Sequence, residues 1–242
     1  MGNTGYMDFY THILPLEDGP VDRETTNKLL HMAYQQGVRT ILATPYNYPG
    51  GTTQDNEKVL SICKKVDEEA KNIDQEFQVL PGNAVLYRKS IASEVEAGNI
   101  LTLAGSRYLL VEFLPEDLFY HINDGLRQLI LEDFYPILAN PEEIRCLMES
   151  PELIADLVEM GAYILVSCQS LLGGIFNRRA RILRRLMKQN LIHFIGSGSF
   201  NNPDAPLRFK KNLRKLYRKV NRKSLNKVLY DNRDKFLQNK YL

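Results

Sequence analysis

His12 closes a short apolar stretch, Met7–Ile13, and Asp18 follows six residues later. A strand whose carboxyl end presents an imidazole and then a carboxylate is how a barrel-type metal hydrolase begins its site. Such strands usually carry His-x-His, two ligands on the same face of the pleat; here the first of the two positions is Tyr10. Glu112, at the end of the apolar run Tyr108–Phe113, is the third candidate. A carboxylate buried there is costly without a polar partner. Two readings follow for His12: a metal ligand, or a neutral imidazole hydrogen-bonded to Glu112 or Asp18. Other hydrolytic chemistries lack their motifs. No Cys-x5-Arg phosphate loop surrounds Cys63, Cys146 or Cys168, and no Gly-x-Ser-x-Gly elbow occurs. His31, His121 and His193 fall on helices or a strand and are assigned no catalytic role.

The elements that must position these residues alternate. Asp22 caps a helix running to about Gln36, and Val38–Ala43 is a buried strand ending in Thr44-Pro45-Tyr46. Helix 56–72 and strand 77–80 follow, the strand closing on Pro81-Gly82-Asn83-Ala84. Strand Tyr108–Phe113, helix 118–132, strand Tyr135–Ala139, two short helices, strand 162–167, an Arg-rich helix 177–189 and strand 192–195 complete the pattern. Helices fill most of 207–242. Apolar strands of four to six residues alternating with amphipathic helices mean a parallel sheet covered on both faces. About seven strands, with no Gly-x-Gly-x-x-Gly turn after the first, favour a closed or nearly closed barrel over a doubly wound sheet. No linker divides the chain, so residues 1–242 read as one domain with a basic helical segment at about 207–242.

In a parallel barrel the chemistry collects at the carboxyl ends of the strands, which here carry Tyr10 and His12, Tyr46, Ala84, Glu112, Asn140, Gln169–Ser170, and Gly198 with Phe200. Together with the phrases Asp8-x-x-x-His12-Ile-Leu-Pro, Gly37-Val-Arg-Thr-Ile-Leu-Ala-Thr-Pro45, Leu109-Leu-Val-Glu-Phe113, Pro136-Ile-Leu-Ala-x-Pro141-Glu142 and Ser170-Leu-Leu-Gly173, this series resembles the PHP (polymerase and histidinol phosphatase) family. The nearest branch is the manganese-dependent protein-tyrosine phosphatases of bacterial capsule and exopolysaccharide systems. The resemblance implies a distorted (β/α)7 TIM-like barrel. It also implies that six ligand positions are substituted, by Tyr10, Tyr46, Ala84, Asn140, Gly198 and Phe200, leaving His12, Asp18 and Glu112 as a remnant metal set. The two arginines that would clamp phosphate correspond to Glu143 and Ala205. Ala, Gly and Phe cannot ligate, and a phenol with a pKa near 10 is a poor ligand for manganese. The expectation is therefore a catalytically silent member with no metal cofactor and a binding or regulatory role in capsule biosynthesis, Tyr10, Tyr46 and Phe200 filling the vacated space. The alternative is a weak metal-dependent phosphotyrosine-protein phosphatase using manganese or another divalent ion on His12, Asp18 and Glu112.

Composition bounds the setting. Of 242 residues, 44% are hydrophobic and 25% charged, as in an ordinary globular protein. No apolar run reaches the roughly 20 residues of a membrane span. With no signal-peptide pattern at the start and an odd number of cysteines without zinc spacing, a cytoplasmic location is expected. The net charge of +2 hides an asymmetry: residues 207–242 carry thirteen Lys and Arg against two Asp, about +11, leaving roughly −9 elsewhere. Together with Arg178, Arg179, Arg181, Arg184, Arg185 and Lys188, these cations read either as solvated helix faces or as a docking surface. The partners to expect are a bacterial tyrosine kinase or another acidic protein, or the membrane surface through the basic C-terminal region. No nucleic-acid-binding motif accompanies the charge.

Overall fold

The computed structural model describes residues 5–17, 19–48, 55–174, 176–197 and 208–242. In chain order the elements are β1 (Tyr6–Thr11), α1 (Arg23–Gln35), β2 (Val38–Ala43), β3 (Tyr46–Asn47), α2 (Asn56–Ile73), β4 (Gln78–Pro81), β5 (Ala84–Leu86) and α3 (Ile91–Glu96). Then come β6 (Tyr108–Glu112), α4 (Phe119–Leu131), β7 (Tyr135–Ala139), α5 (Arg145–Glu149), α6 (Leu153–Met160), β8 (Tyr163–Ser167), α7 (Arg178–Lys188) and β9 (Phe194–Gly196). The C-terminal helices are α8 (Phe209–Leu216), α9 (Arg222–Asn226) and α10 (Asn232–Leu237), the last two joined through a π-helical turn at Lys227–Asp231. Polar side chains cap α1, α2 and α7, Asp22 among them as expected. Asp22 accepts the Thr25 N–H, Asp55 that of Glu57 and Asn177 that of Ala180. Gly37 takes the left-handed conformation (φ +85°) that lets the chain turn from α1 into β2.

All ladders are parallel and fall into two sheets, β1-β2-β4 and β3-β5-β6-β7-β8-β9. About seven strands were expected from the hydrophobic runs; among the described residues nine segments are present, because two runs break and restart. Pro45 separates β2 from β3, and the Gly82-Asn83 turn separates β4 from β5. Proline lacks the N–H a ladder needs. Gly82 is required by close packing, since a Cβ there would lie 2.6 Å from the Leu103 side chain. The same interruption leaves the two sheets unjoined at this edge, so the expected closed barrel is not formed by a continuous ladder. At the other edge, β1 and β9 approach without strand pairing. The Ser197 N–H donates to Asp8 Oδ1 (2.8 Å) across that seam.

Between the sheets lies an aromatic interior. Phe9 of β1 and Phe194 of β9 have ring centroids 4.4 Å apart, and Phe236 of α10 packs 5.2 Å from Phe9 and 5.0 Å from Tyr108. The C-terminal segment thus plugs the end of the interior opposite the strand carboxyl termini. The Tyr108 hydroxyl donates to the Lys240 carbonyl (2.5 Å), and the Leu242 N–H donates to the Tyr163 hydroxyl (3.1 Å). Phe209, Leu213 and Leu216 bury the apolar side of α8, leaving its Lys and Arg outward.

Candidate functional site

The parallel register brings the carboxyl ends of the strands to one side. Tyr46 pairs with Ala84, Ala84 with Leu110, and Leu86 with Glu112. Glu112 ends β6 there and is reached by two phenols: Tyr10 donates to its Oε1, and Tyr48 donates to its Oε2 at 3.1 Å. The Tyr10 and Tyr46 hydroxyls lie 3.3 Å apart, and the Tyr46 and Tyr48 rings stack with centroids 4.9 Å apart. His12 lies under this group, its ring 4.0 Å from that of Tyr46 and 5.2 Å from that of Tyr10. The expected imidazole–Glu112 bond is absent: the carboxylate takes phenolic donors, and His12 hydrogen-bonds to the Thr44 backbone. Its Nε2 is buried with no partner among the described residues.

Burial sets the protonation states. It lowers the His12 pKa to about 4, so the imidazole is neutral at physiological pH. It also raises Glu112, an effect partly opposed by the Tyr10 and Tyr48 hydroxyls that stabilise the carboxylate. The Tyr10 and Tyr48 phenols are pushed far above their usual range, by burial first and by the Glu112 charge second, and they remain donors. Beside Glu112 opens a cavity of about 370 Å³, walled by Leu86, Phe113 and Pro115 and edged by Tyr48, Asn140 and Glu143. Asn140 holds a left-handed backbone (φ 47°, ψ 51°) where β7 gives way to the turn at Pro141. Arg179, at the start of α7, stands 3.5 Å from Glu143 on the rim.

The structure therefore brings together Tyr10, His12, Tyr46 and Glu112, with Ala84 buried in the interior behind them and Asn140 on the cavity edge. Asp18, Gly198, Phe200 and Ala205 lie outside the described residues. Tyr48 was not anticipated. Its only signal is the Tyr46-x-Tyr48 alternation, which places two rings on one side of an extended segment. Among the described residues, no three His, Cys, Asp or Glu side chains converge as a metal site, and both Glu112 oxygens are already taken. These side chains do not fit a multi-ion centre.

Residues 6–238 match the family described as capsular polysaccharide synthesis, CpsB/CapC. The chain belongs to the CpsB/CapC family. It is 30% identical over 197 residues to the tyrosine-protein phosphatase YwqE of Bacillus subtilis, covering 81% of this chain and 77% of that protein. It is 26% identical over 242 residues to the tyrosine-protein phosphatase CpsB of Streptococcus pneumoniae, covering 98% and 100%. A solved structure from work on these two proteins superposes with a TM-score of 0.85 at 27% identity, covering 97% of this chain and 95% of that one. Those proteins are described as unique metal-dependent tyrosine phosphatases. These findings correct two expectations. The silent, regulatory reading does not stand against relatives named as phosphatases over their full length. Nor does the expectation of no metal cofactor, since the relatives of known structure are metal-dependent.

Proposed function

We propose that the chain is a weak, metal-dependent phosphotyrosine-protein phosphatase working on a reduced site around His12 and Glu112. The observation that carries this reading is the match, along nearly the whole chain, to proteins named as tyrosine phosphatases. A divalent ion, when bound, would supply charge neutralisation and a nucleophilic water. The described side chains do not fit a cluster, so no step is routed through one. The chain's own residues account for the rest. Leu86, Phe113 and Pro115 form an apolar wall against which a phenyl ring packs. Glu112, held as a carboxylate by the Tyr10 and Tyr48 hydroxyls, orients the attacking water at the cavity edge and accepts its proton. Neutral His12, its buried Nε2 without a partner among the described residues, would serve as the imidazole ligand of that ion.

The setting belongs to the same proposal: one domain built as a distorted (β/α)7-type barrel, in the cytoplasm, acting on a tyrosine kinase of a capsule system. It is supported by the family match and by the absence, among the described residues, of any helix long and apolar enough to cross a membrane. The test is turnover of a phosphotyrosine peptide with manganese added. Turnover is expected to be abolished by His12→Ala and lost by at least about tenfold in Glu112→Gln, both variants keeping the far-UV circular dichroism of the parent. No turnover at any metal concentration, or turnover that both variants retain, would overturn it.

A further inference from the structure

The helix α7 (Arg178–Lys188) carries six cations and no acid. Two are accounted for locally: Arg184 donates to the Leu171 and Gly173 carbonyls, and Arg179 pairs with Glu143 on the cavity rim. Arg178, Arg181 and Arg185 form no ion pair among the described residues. Spaced by three and four residues, they lie along one helix face, spanning about 10 Å of rise. With Pro151 and Ile182 as its apolar walls, they line a second cavity of about 330 Å³. Placing Arg178 and Arg181 in the first helical turn opposes the helix dipole, which favours acids there. Local stability therefore gives no reason for the arrangement.

Position supplies one. The loop into α7 leaves β8 at the carboxyl end of the sheet, so the helix begins on the same side as Glu112. Arg178 is the chain neighbour of Arg179, and Arg179 touches Glu143, which edges the Glu112 cavity. The arginine groove and the Glu112 cavity share no lining residue, but the adjacent Arg178 and Arg179 border one each, Arg179 through Glu143. Phe176, two residues ahead of Arg178, is 92% exposed.

We propose that this groove binds an acidic polypeptide segment flanking the phosphotyrosine of the substrate. Guanidinium forks take carboxylates in paired hydrogen bonds. A groove with apolar walls suits an extended peptide, whereas a bilayer surface needs a protruding face. The assignment of substrate class rests on the phosphatase reading; the groove's affinity for acidic peptide does not.

Three fluorescent peptides test it by anisotropy at low salt. Two carry a non-hydrolysable phosphonate in place of phosphotyrosine, one flanked by Asp and Glu and the other by Ser and Gly; the third is acidic with plain tyrosine. The acidic phosphonate peptide is expected to bind about tenfold tighter than its neutral counterpart, with the difference vanishing at high salt. The triple variant Arg178→Ala, Arg181→Ala, Arg185→Ala should lose that difference and most binding of the phosphate-free acidic peptide. It should leave p-nitrophenyl phosphate turnover unchanged. Arg181→Glu should shift preference toward a Lys-flanked peptide, a gain that misfolding cannot mimic. If the protein turns over no phosphotyrosine yet binds the acidic peptide through these arginines, the phosphatase reading fails and the groove stands. Equal affinity for acidic and neutral peptides, or a preference the triple variant retains, overturns the groove. So does arginine-dependent binding confined to phosphatidylserine–phosphatidylcholine vesicles.

Discussion

Glu112 shows how one carboxylate can be held at a strand end by phenols alone. Tyr10 and Tyr48 each occupy one oxygen, but they are not equivalent. Tyr10 reaches it from inside the fold, whereas Tyr48 is 42% exposed and its place can be taken by water. Tyr10→Phe should therefore cost about 1–3 kcal/mol, the penalty of an unsatisfied buried acceptor, and Tyr48→Phe under about 1 kcal/mol. Denaturant melts of the two variants check the order. With one anion-stabilising donor gone, Glu112 holds its proton to higher pH, so the acidic limb of the activity profile should move upward in Tyr10→Phe. His193 gives a second residue-scale prediction. Burial, and then the nearby Lys227 charge, lowers its pKa to about 4, and its Nδ1 accepts the Ile164 N–H at 3.1 Å. A histidine whose folded pKa is depressed stabilises the fold fully above about 6.5 and loses that contribution as pH falls toward 4. The loss is about 3 kcal/mol by linkage. His193→Asn keeps an acceptor near Nδ1, so its stability relative to the parent should improve steadily from pH 6.5 to 4. An unchanged difference across that range would sink the assignment.

At the scale of elements, hydrophobic pattern and capping residues made most helices and the main strands legible, because those signals are local. Asp22, Gly37 and Asn177 each do in the structure what their type predicts. The nine segments were read as seven because β3 and β5 are short resumptions beyond prolines, too brief for any periodicity. Tyr48 was hidden for the same reason, in a Pro- and Gly-rich loop. The partner of Glu112 was missed differently: imidazole and phenol were both within plausible reach, and only the tertiary register decides between them. Gly125 in α4 is a case where local propensity and packing disagree. Alanine would improve helix propensity by about 1 kcal/mol. Yet a Cβ would stand 2.6–2.8 Å from the Tyr87 ring, which stacks on Phe113 with centroids 5.0 Å apart. Overpacking against a rigid ring costs about 1–3 kcal/mol, so Gly125→Ala should be net destabilising. Because Phe113 walls the Glu112 cavity, KM for an aromatic phosphate should rise more than kcat falls. A higher melting temperature with unchanged KM would refute this.

At the scale of the molecule, the two sheets share no ladder, so side chains must hold them in one cooperative unit. The interior aromatic group does this, and its keystone comes from the far end of the chain. Phe236 touches Phe9, from the sheet of β1, and Tyr108 and Phe194, from the other. Asn232, one turn earlier, donates to the His193 carbonyl at 2.9 Å. The basic tail is thus structural on its inner side whatever its outer charges meet. Phe236→Ala should cost about 3–5 kcal/mol, the range for deleting a buried aromatic. Deleting residues 232–242 should cost more and change the form of unfolding as well. With the plug gone, the seam between β1 and β9 retains the Ser197–Asp8 bond and the Phe9–Phe194 contact. The sheets should then lose coupling, giving a broadened urea transition with a lower m-value, as expected when an unfolding unit splits. The phosphotyrosine turnover proposed for the opposite end should survive in the fraction still folded at low denaturant. A truncated chain that unfolds at the parent's midpoint with the parent's m-value would show that the two sheets cohere without the C-terminal plug.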